Sequence, residues 1–597
     1  MSKRHIFNSA DGLVDKSLRG LISYNPSLGL NPANRVVFDS RHDKSKISII
    51  SGGGSGHEPA WSGYVGQNML TASVAGDIFA SPSTSQILAA IETVPSDTGV
   101  LLVVTNYTGD CLHFGLANEK ALQLGHRCRM IICGDDVAVG RKHGRLVGRR
   151  GLAGQICVLK ILGGAAGAGI DSLDNLYDLG SAVSGQIVSI AATLDHCHVP
   201  GRGDHSNLGP DEVEIGTGPH NEPGYKKLSP VPSSESLVQQ LLSYLLDQSD
   251  PERAFARFGA GDEVVLLVNN FGGISYLEIG ALVDEVLEQL HKDWAIEPIR
   301  VFTGVIESSL NAPAITLSLV NITAASKACS FSTEQIKTFL DAKTDTHWES
   351  MVGSQSRRTG RQLNITAVSP LVKNKAEIKF EQATRVDISL MRRMLLAACK
   401  AVIEAEPELT RWDTVMGDGD CGETLKTGAL NILDRLESPE MTHCDSVLMV
   451  LQEIEAVVER KMGGTLGGIL GIFLVALTNG VRSEAASGRA SIASSLWGPA
   501  LSSAIAHLEA YTKARVGDRT VMDVLIPFSE AMVLGDFNQA VAAAVKGAEI
   551  TKTLRPKLGR ATYVAAGFDG DRELPPDPGA WGVMVAIRGL QLGLQGS

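Results

Sequence analysis

A chain of 597 residues is too long for one ordinary hydrophobic core, so two or more domains are expected. With 44% hydrophobic and 20% charged residues it has the composition of a soluble globular protein, and its net charge of −12 disfavours non-specific binding to nucleic acid or an acidic membrane. Its nine cysteines form no C-x-x-C pair, which argues against zinc knuckles and redox motifs and fits a reducing compartment. The N-terminus "MSKRHIFNSADGL" has no apolar signal core, and "GGILGIFLVAL" at 467–477 reads as too short to span a bilayer. A cytoplasmic protein without membrane or nucleic-acid partners is the expectation.

In chain order, apolar β-branched runs at Ile47–Ile50, Val100–Val104, Met130–Ile132 and Val264–Val268 alternate with helical patterns such as 83–94 and 112–124. That alternation predicts an α/β domain with a largely parallel sheet. Three of the runs lead into polar stretches, "SGGGSGHE", "TNYTGD" and "NNFGG". Ligands of open α/β sheets bind at the carboxyl ends of strands, so one pocket is expected there. The first stretch resembles a phosphate loop but lacks the terminal Lys-Ser or Lys-Thr. Residues 343–375 have no sustained period and read as a linker. Beyond them "SLMRRMLLAACKAVIEAEPEL", "DSVLMVLQEIEAVVERKM" and "LWGPALSSAIAHLEAYTKA" predict an all-helical second half.

In that half "DTVMGDGDCGET" crowds Asp413, Asp418 and Asp420 into a glycine-rich turn. An isolated D-G-D most often only caps the next helix. Here the glycine-rich turns "KMGGTLGG", "VGDRTVMD" and "LGRATY" follow, with Arg519 and Arg560 placed to neutralise phosphate. The carboxylates therefore point to magnesium holding a nucleotide without a P-loop. In the first half His220, in "EIGTGPHNEPG", would be a bland loop histidine on its own. His57 and Asp110 lie at strand ends of the same domain, and the three together could supply a nucleophile, an acid and a base.

These residues carry a family resemblance. "SGGGSGHEPA", "NYTGD", "GDDVAV", "GRRGLAG", "DEVEIGTGPHNEPG" and "VNNFGGIS" resemble the K domain of dihydroxyacetone kinases, and "DTVMGDGDCGET", "KMGGTLGG", "VGDRTVMD", "GRATY" and "DPGA" resemble the L domain. The order is that of the ATP-dependent single-chain kinases. The resemblance implies an α/β K domain of two α/β subdomains at 1–342, a linker at 343–382, and an all-α L domain, a helical barrel, at 383–597. It implies phosphorylation of dihydroxyacetone to its phosphate, with glyceraldehyde as a further substrate. His220 would form a covalent hemiaminal with the ketone, Asp110 would act as general base, and His57 would assist proton transfer. Gly54, Ser55, Gly56, His57, Thr105 and Asp110 would surround the ketose. Asp413, Asp418 and Asp420 would hold two magnesium ions on ATP. Cys421, Gly422, Thr424, Gly464, Thr465, Leu466, Thr512, Thr520, Val521, Asp577, Pro578 and Gly579 would contact the nucleotide. A homodimer is implied, with the K domain of one chain facing the L domain of the other.

The chain departs from the family pattern where Thr105 stands for a lysine, Trp61 for a histidine and His113 for an asparagine. These changes bear on which short ketose is taken, with erythrulose an alternative. Two other functions compete: cleavage of FAD to cyclic FMN at the L-domain site, and a regulatory binding protein. "GRGD" at 201–204, "ILGGAAGAGI" at 161–170 and the basic "GRKHGRLVGRRG" at 140–151 are set aside as a chance tripeptide, a glycine run that lacks the Rossmann context, and a solvated or interface surface.

Overall fold

The computed structural model describes residues 5–142, 148–202, 208–348, 386–416, 419–442, 444–486, 494–557 and 574–596. The chain divides into two compact units, Met1–Thr366 and Ala367–Ser597. The first is α/β and the second helical.

The strands of the first unit are β1 (Leu28–Asn31), β2 (Val36–Asp39), β3 (Ser48–Ser55), β4 (Ala72–Ile78), β5 (Val100–Thr105), β6 (Cys128–Cys133), β7 (Ile187–Thr193), β8 (Val213–Ile215), β9 (Lys226–Leu228), β10 (Val264–Asn270), β11 (Arg300–Gly304) and β12 (Ala314–Asn321). Its helices are α1 (Leu13–Tyr24), α2 (Thr84–Thr93), α3 (Thr108–Gln123), α4 (Gln155–Gly167), α5 (Leu173–Ser184), α6 (Ser234–Leu246), α7 (Tyr276–Trp294), α8 (Ile322–Lys327) and α9 (Thr333–Asp341). The strands form two sheets, ordered β1-β2-β4-β3-β5-β6 and β11-β10-β12-β7-β8-β9. The expected largely parallel arrangement holds only for the centre of the first sheet, where β4, β3, β5 and β6 run parallel. In the second sheet only β10 and β11 are parallel. There β12 returns antiparallel between β10 and β7, and β8 and β9 follow as antiparallel neighbours.

Helix α4 explains how the sheets share a core. Every residue from Gln155 to Ala165 is buried, as a helix apolar on all faces must be. Its Ile156, Leu159 and Ile161 belong to one cluster with Leu101 and Val103 of the first sheet and Val265, Leu267 and Val320 of the second. The one cation in the helix, Lys160, donates Nζ to the Phe339 carbonyl at 3.0 Å, and burial lowers its pKa to about 8. The outer face of the first sheet is covered by α2 and α3, that of the second by α6 and α7. The run "ILGGAAGAGI" begins inside α4. There Gly164 lets the Phe339 backbone approach so closely that a Cβ would lie 2.0 Å from its carbonyl oxygen.

Two boundaries differ from the sequence reading. The run at Ile47–Ile50 continues through the glycines to Ser55, because Gly52 lets β4 come within 2.2 Å of where a Cβ would stand. Residues 343–348, read as linker, pack on the first unit. Trp348 is buried against Phe302, and Asp345 accepts from Gln67 N–H and pairs with Arg41.

The described helices of the second unit are α10 (Ile388–Met416), α11 (Cys421–Leu436), α12 (Pro439–Thr442), α13 (Val447–Lys461), α14 (Gly464–Ala486), α15 (Ser494–Leu508), α16 (Met522–Val533), α17 (Phe537–Ile550) and α18 (Pro578–Gln595). Small residues allow close crossings: Gly589 and Gly593 of α18 lie against the backbone of Ala398 and Met394 in α10. The "GGILGIFLVAL" run was read as too short to span a bilayer. It lies inside α14, whose 23 residues are long and apolar enough to cross a membrane by length and composition. In this structure α14 packs within the helical unit, with Phe473, Ala476, Leu477 and Val481 in the same core as α13, α15 and α16.

Two glycines give opposite expectations. Gly164→Ala should destabilise by about 1–3 kcal/mol through overpacking and lower the melting temperature by several degrees. Gly280→Ala, on an α7 face where nothing lies within 4 Å of the new Cβ, should stabilise by about 0.5–1 kcal/mol. Thermal unfolding of the two variants checks both.

Candidate active site

Three backbone segments of the first unit meet around two imidazoles. His57 follows β3, and His220 sits on the loop between β8 and β9. Their Nε2 atoms are 3.0 Å apart. The third segment, 306–310, clamps both. Ser308 N–H donates to the His57 carbonyl, Leu310 N–H donates to the Gly56 carbonyl, and Ser309 Oγ donates to the Pro219 carbonyl. Asn269, at the end of β10, holds that segment by accepting from Ile306 and Glu307 N–H and donating to the Glu307 carbonyl.

The partners fix the protons. His57 Nδ1 lies 3.0 Å from the Ser308 carbonyl, which can only accept, so Nδ1 carries hydrogen. Burial first, and then the neighbouring His220, lower the His57 pKa to about 3, so its Nε2 is a lone pair. Behind the other ring, Glu222 accepts from His220 Nδ1 at 3.0 Å and from His220 N–H at 2.9 Å. Burial raises the Glu222 carboxyl, but the His220 hydrogen bond and charge outweigh it and bring the pKa to about 2. With both Nδ1 atoms committed as donors, the 3.0 Å contact between the Nε2 atoms requires one shared proton, which rests on His220 Nε2.

Aromatic rings hold the pair. The Tyr107 and Phe79 rings meet His220 edge-on at 4.7 and 5.1 Å, and Phe79 also stacks on His57 at 5.2 Å. Phe79 has φ +62° and Asn221 φ +63°. The first is unusual for an aromatic residue. The second suits asparagine and folds Glu222 back onto His220. Asp110 lies in the first turn of α3, 6% exposed. Burial lifts its pKa to about 6, against the Ser81 hydroxyl and the charges of His220 and His113. Its Oδ1 is buried with no hydrogen-bond partner.

The glycine-rich stretch is built for close approach. A Cβ on Gly54 would stand 2.8 Å from Ala80 N, and Gly56 takes φ +102° while its N–H donates to Glu58. Ser55 Oγ donates to the Gly76 carbonyl. Thr105 is turned inward: it is 1% exposed and donates Oγ1 to Gln155 Oε1 at 2.9 Å. Sequence reasoning missed Glu222, Ser308, Tyr107 and Phe79. The only signal was the asparagine of "HNE", whose tolerance of left-handed backbone permits the turn.

In the second unit, helix N-termini converge. Asp413, near the end of α10, accepts from Cys421 N–H at the start of α11 at 3.0 Å. The Cys421 thiol is pushed up by burial and then by Asp413, Asp577 and Asp420, which places the three carboxylates around it. Gly464, with φ +67° at the start of α14, has Asp420 Oδ2 3.7 Å from its Cβ position. The Cβ position of Gly579 lies 3.7 Å from Leu466 and 4.0 Å from Val521, joining the starts of α18, α14 and α16. Asp577 caps α18 through Ala580 N–H, ahead of Pro578, and burial raises its pKa to about 6. Thr520 Oγ1 accepts from Met522 N–H, and Thr424 N–H donates to the Asp420 carbonyl. Gly422 is required by packing, since a Cβ would meet Thr410 Oγ1 at 2.3 Å. Thr465 is exposed beside Gly464. Thr512 caps Ala514 N–H and makes no described contact with the Asp413 cluster.

Arg519 is not available to phosphate as expected. It is 2% exposed and donates to the carbonyls of Thr551 and Pro575, tying the loop before α16 to the turn before α18. Asp418, Arg560 and the "GRATY" turn lie outside the described residues. Among the described residues no group of three His, Cys, Asp or Glu could hold a metal ion unaided.

Glu222→Gln puts an amide N–H₂ against a donor on His220. The exchange of the His220 amide hydrogen should accelerate by roughly tenfold or more, reflecting about 1–3 kcal/mol of lost local stability. Because the Glu222 pKa is depressed, its contribution is present above its usual 4.5 and fades as pH falls toward about 2. That acid limb should be missing in the variant.

Comparison with known proteins agrees with this two-part arrangement. The Dak1 domain family matches residues 19–348 and the DAK2 domain family residues 415–592. The chain is 42% identical to a dihydroxyacetone kinase of Pichia angusta over 99% of its own length and 98% of the relative's. It is 32% identical to the human triokinase/FMN cyclase over 99% of both chains. Among solved structures, the dihydroxyacetone kinase of C. freundii in complex with AMP-PNP and Mg2+ matches all of both chains at 27% identity and TM-score 0.62. A dihydroxyacetone kinase operon co-activator matches 55% of this chain and 96% of its own, at 29% identity and TM-score 0.50. Both domain families and full-length relatives place this chain in the dihydroxyacetone kinase family.

Proposed function

We propose that this protein transfers the γ-phosphoryl group of ATP to a hydroxyl of dihydroxyacetone, giving dihydroxyacetone phosphate and ADP, and that it also accepts glyceraldehyde. The full-length kinase relatives support the reaction. The observation that carries the mechanism is the imidazole pair of His57 and His220 beside the unpartnered Asp110 oxygen.

The proton between the rings moves from His220 Nε2 to His57 Nε2, leaving a lone pair on His220. That lone pair attacks the ketone carbon. The carbonyl π bond opens, and the new alkoxide takes the proton from His57. The adduct is a hemiaminal whose imidazolium keeps Nδ1–H on the Glu222 carboxylate, so charge and protons balance. A short flexible ketone offers little binding energy of its own, and the covalent bond holds it in one orientation. It also excludes glycerol, which has no carbonyl. Asp110 Oδ1 then accepts the proton of the hydroxyl that is phosphorylated. Glu222 acts as the positioning group for His220, and Ser308 does so for His57.

In the second unit the Asp413 and Asp420 carboxylates are hard oxygen donors beside helix N-termini, a donor set suited to magnesium on phosphate oxygens. Together with Asp418 they would hold two magnesium ions, which supply charge neutralisation on the ATP phosphates when bound. Backbone N–H groups at the starts of α11, α14, α16 and α18 would orient the nucleotide, with Leu466, Val521 and Gly579 forming one wall. Homodimerisation with K and L domains facing across chains, and a cytoplasmic location supported by nine free cysteines, complete the reading.

ADP release should be measured with Mg-ATP and dihydroxyacetone, glyceraldehyde, erythrulose or glycerol. Ketone turnover is expected, with none for glycerol. His220→Ala should lower turnover by roughly 10³-fold or more, and Asp110→Asn by about 10²–10⁴-fold. Since only ionised Asp110 accepts a proton, kcat/KM should fall as pH drops through about 6. Ketone turnover that survives His220→Ala would overturn the covalent mechanism.

The likeness to the human triokinase/FMN cyclase motivates a second activity at the second unit, cleavage of FAD to cyclic FMN. His220→Ala should spare it and Asp413→Asn should abolish it, as an FAD assay in manganese would show. The matched co-activator lacks a counterpart to nearly half of this chain. A purely regulatory role would leave that half without use.

A further inference from the structure

Behind the imidazole pair the first unit buries a polar cluster that the proposed reaction does not use. Glu307 is 1% exposed. Burial, and then the Asp135 carboxylate, push its carboxyl well above the usual range, and only the Gln155 amide opposes them. Among the described residues no basic side chain opposes them. Its Oε2 has no hydrogen-bond partner, although its main chain is fixed by Asn269. Gln155, 3% exposed, accepts from Thr105 Oγ1, while its own Nε2 has no partner. Thr316, 0% exposed and directly across the strand pair from Asn269, has an unpartnered Oγ1. Next along that face the polar groups are satisfied: Ser189 donates its proton to Asp135 and accepts from the Ser318 hydroxyl, and Asp135 also accepts from Leu152 N–H.

Three unpartnered buried polar atoms, one of them on a carboxyl without a counter-charge, are an unusual concentration, and each calls for a partner. The amide of Gln155 can be turned end for end. Its Nε2 then donates to Thr105, and its Oε1 joins the Glu307 and Thr316 oxygens as a free acceptor. What that arrangement lacks is a positive charge. A divalent ion is a poor fit, since magnesium demands six near-octahedral oxygens and keeps several waters. With the Asp135 carboxylate taken up by Ser189 and Leu152 N–H, one unpartnered carboxylate oxygen with neutral amide and hydroxyl oxygens suits a single charge.

We propose that Glu307, Gln155 and Thr316 bind a monovalent cation, potassium or ammonium, in the interior of the first unit. Thr105 immediately precedes the segment that carries Asp110, and Glu307 immediately precedes Ser308, which holds His57. The ion braces the two chain segments that set the acid–base groups.

The test uses the full chain at pH about 8, comparing potassium, ammonium and choline chlorides at matched ionic strength. At ten times its Kd, the bound cation should raise the melting temperature by about 2 °C over choline. The rise should saturate and be absent in Glu307→Gln. It should also be absent in Thr105→Lys, whose own ammonium takes the ion's place. Equal melting in potassium, ammonium and choline, or an equal rise in wild type and Glu307→Gln, overturns the proposal. A crystal of the wild-type protein grown in rubidium chloride gives a reading that needs no variant. An anomalous peak at bonding distance from Glu307 Oε2 supports the site, and its absence overturns it.

Discussion

The first unit is organised around one hydrogen bond between two imidazoles that must share one proton. Nearly every local feature serves it. The Ser308 carbonyl sets the tautomer of one ring and Glu222 that of the other. Asn269 and Ser309 fix the segment that carries these constraints. Aromatic rings of Phe79 and Tyr107 exclude alternative ring positions. The arrangement joins two differently placed rings: His220, backed by the Glu222 carboxylate, and a fully buried His57 whose pKa burial lowers.

The second unit meets a different demand by a different route. It gathers the starts of several helices, whose first backbone donors have no carbonyl of their own helix to bond, and places carboxylates beside them. Arg519 contributes by tying two of the converging turns together from beneath, so a cation that sequence reading assigned to phosphate is part of the frame.

Much of this was legible in the sequence because it depends on local chemistry. Alternation of apolar runs and helical periods gave the two halves, and polar stretches after strand-like runs placed His57 and Asp110. The less legible features depend on pairing between distant segments. The second sheet is mostly antiparallel because β12 returns between β10 and β7, and no local period encodes that choice. The Ser308 carbonyl has no side-chain signature. Glu222 was in view but its role needed the left-handed turn at Asn221. The inward face of Thr105 was hidden because a threonine at a strand end fits either side. The apolar run at 467–477 did not show the full length of its helix, because the flanking turns that extend α14 to Gly464–Ala486 are less apolar.

Helix α4 carries a consequence for how the first unit comes apart. Its residues are buried in one cluster with strands of both sheets. Neither sheet can lose its neighbour without exposing the same helix to water. The two sheets therefore open as one cooperative block, and the most protected amides of both should exchange with hydrogen at a common free energy. The His57 and His220 segments keep their spacing through the 308–310 segment, to which both are hydrogen-bonded.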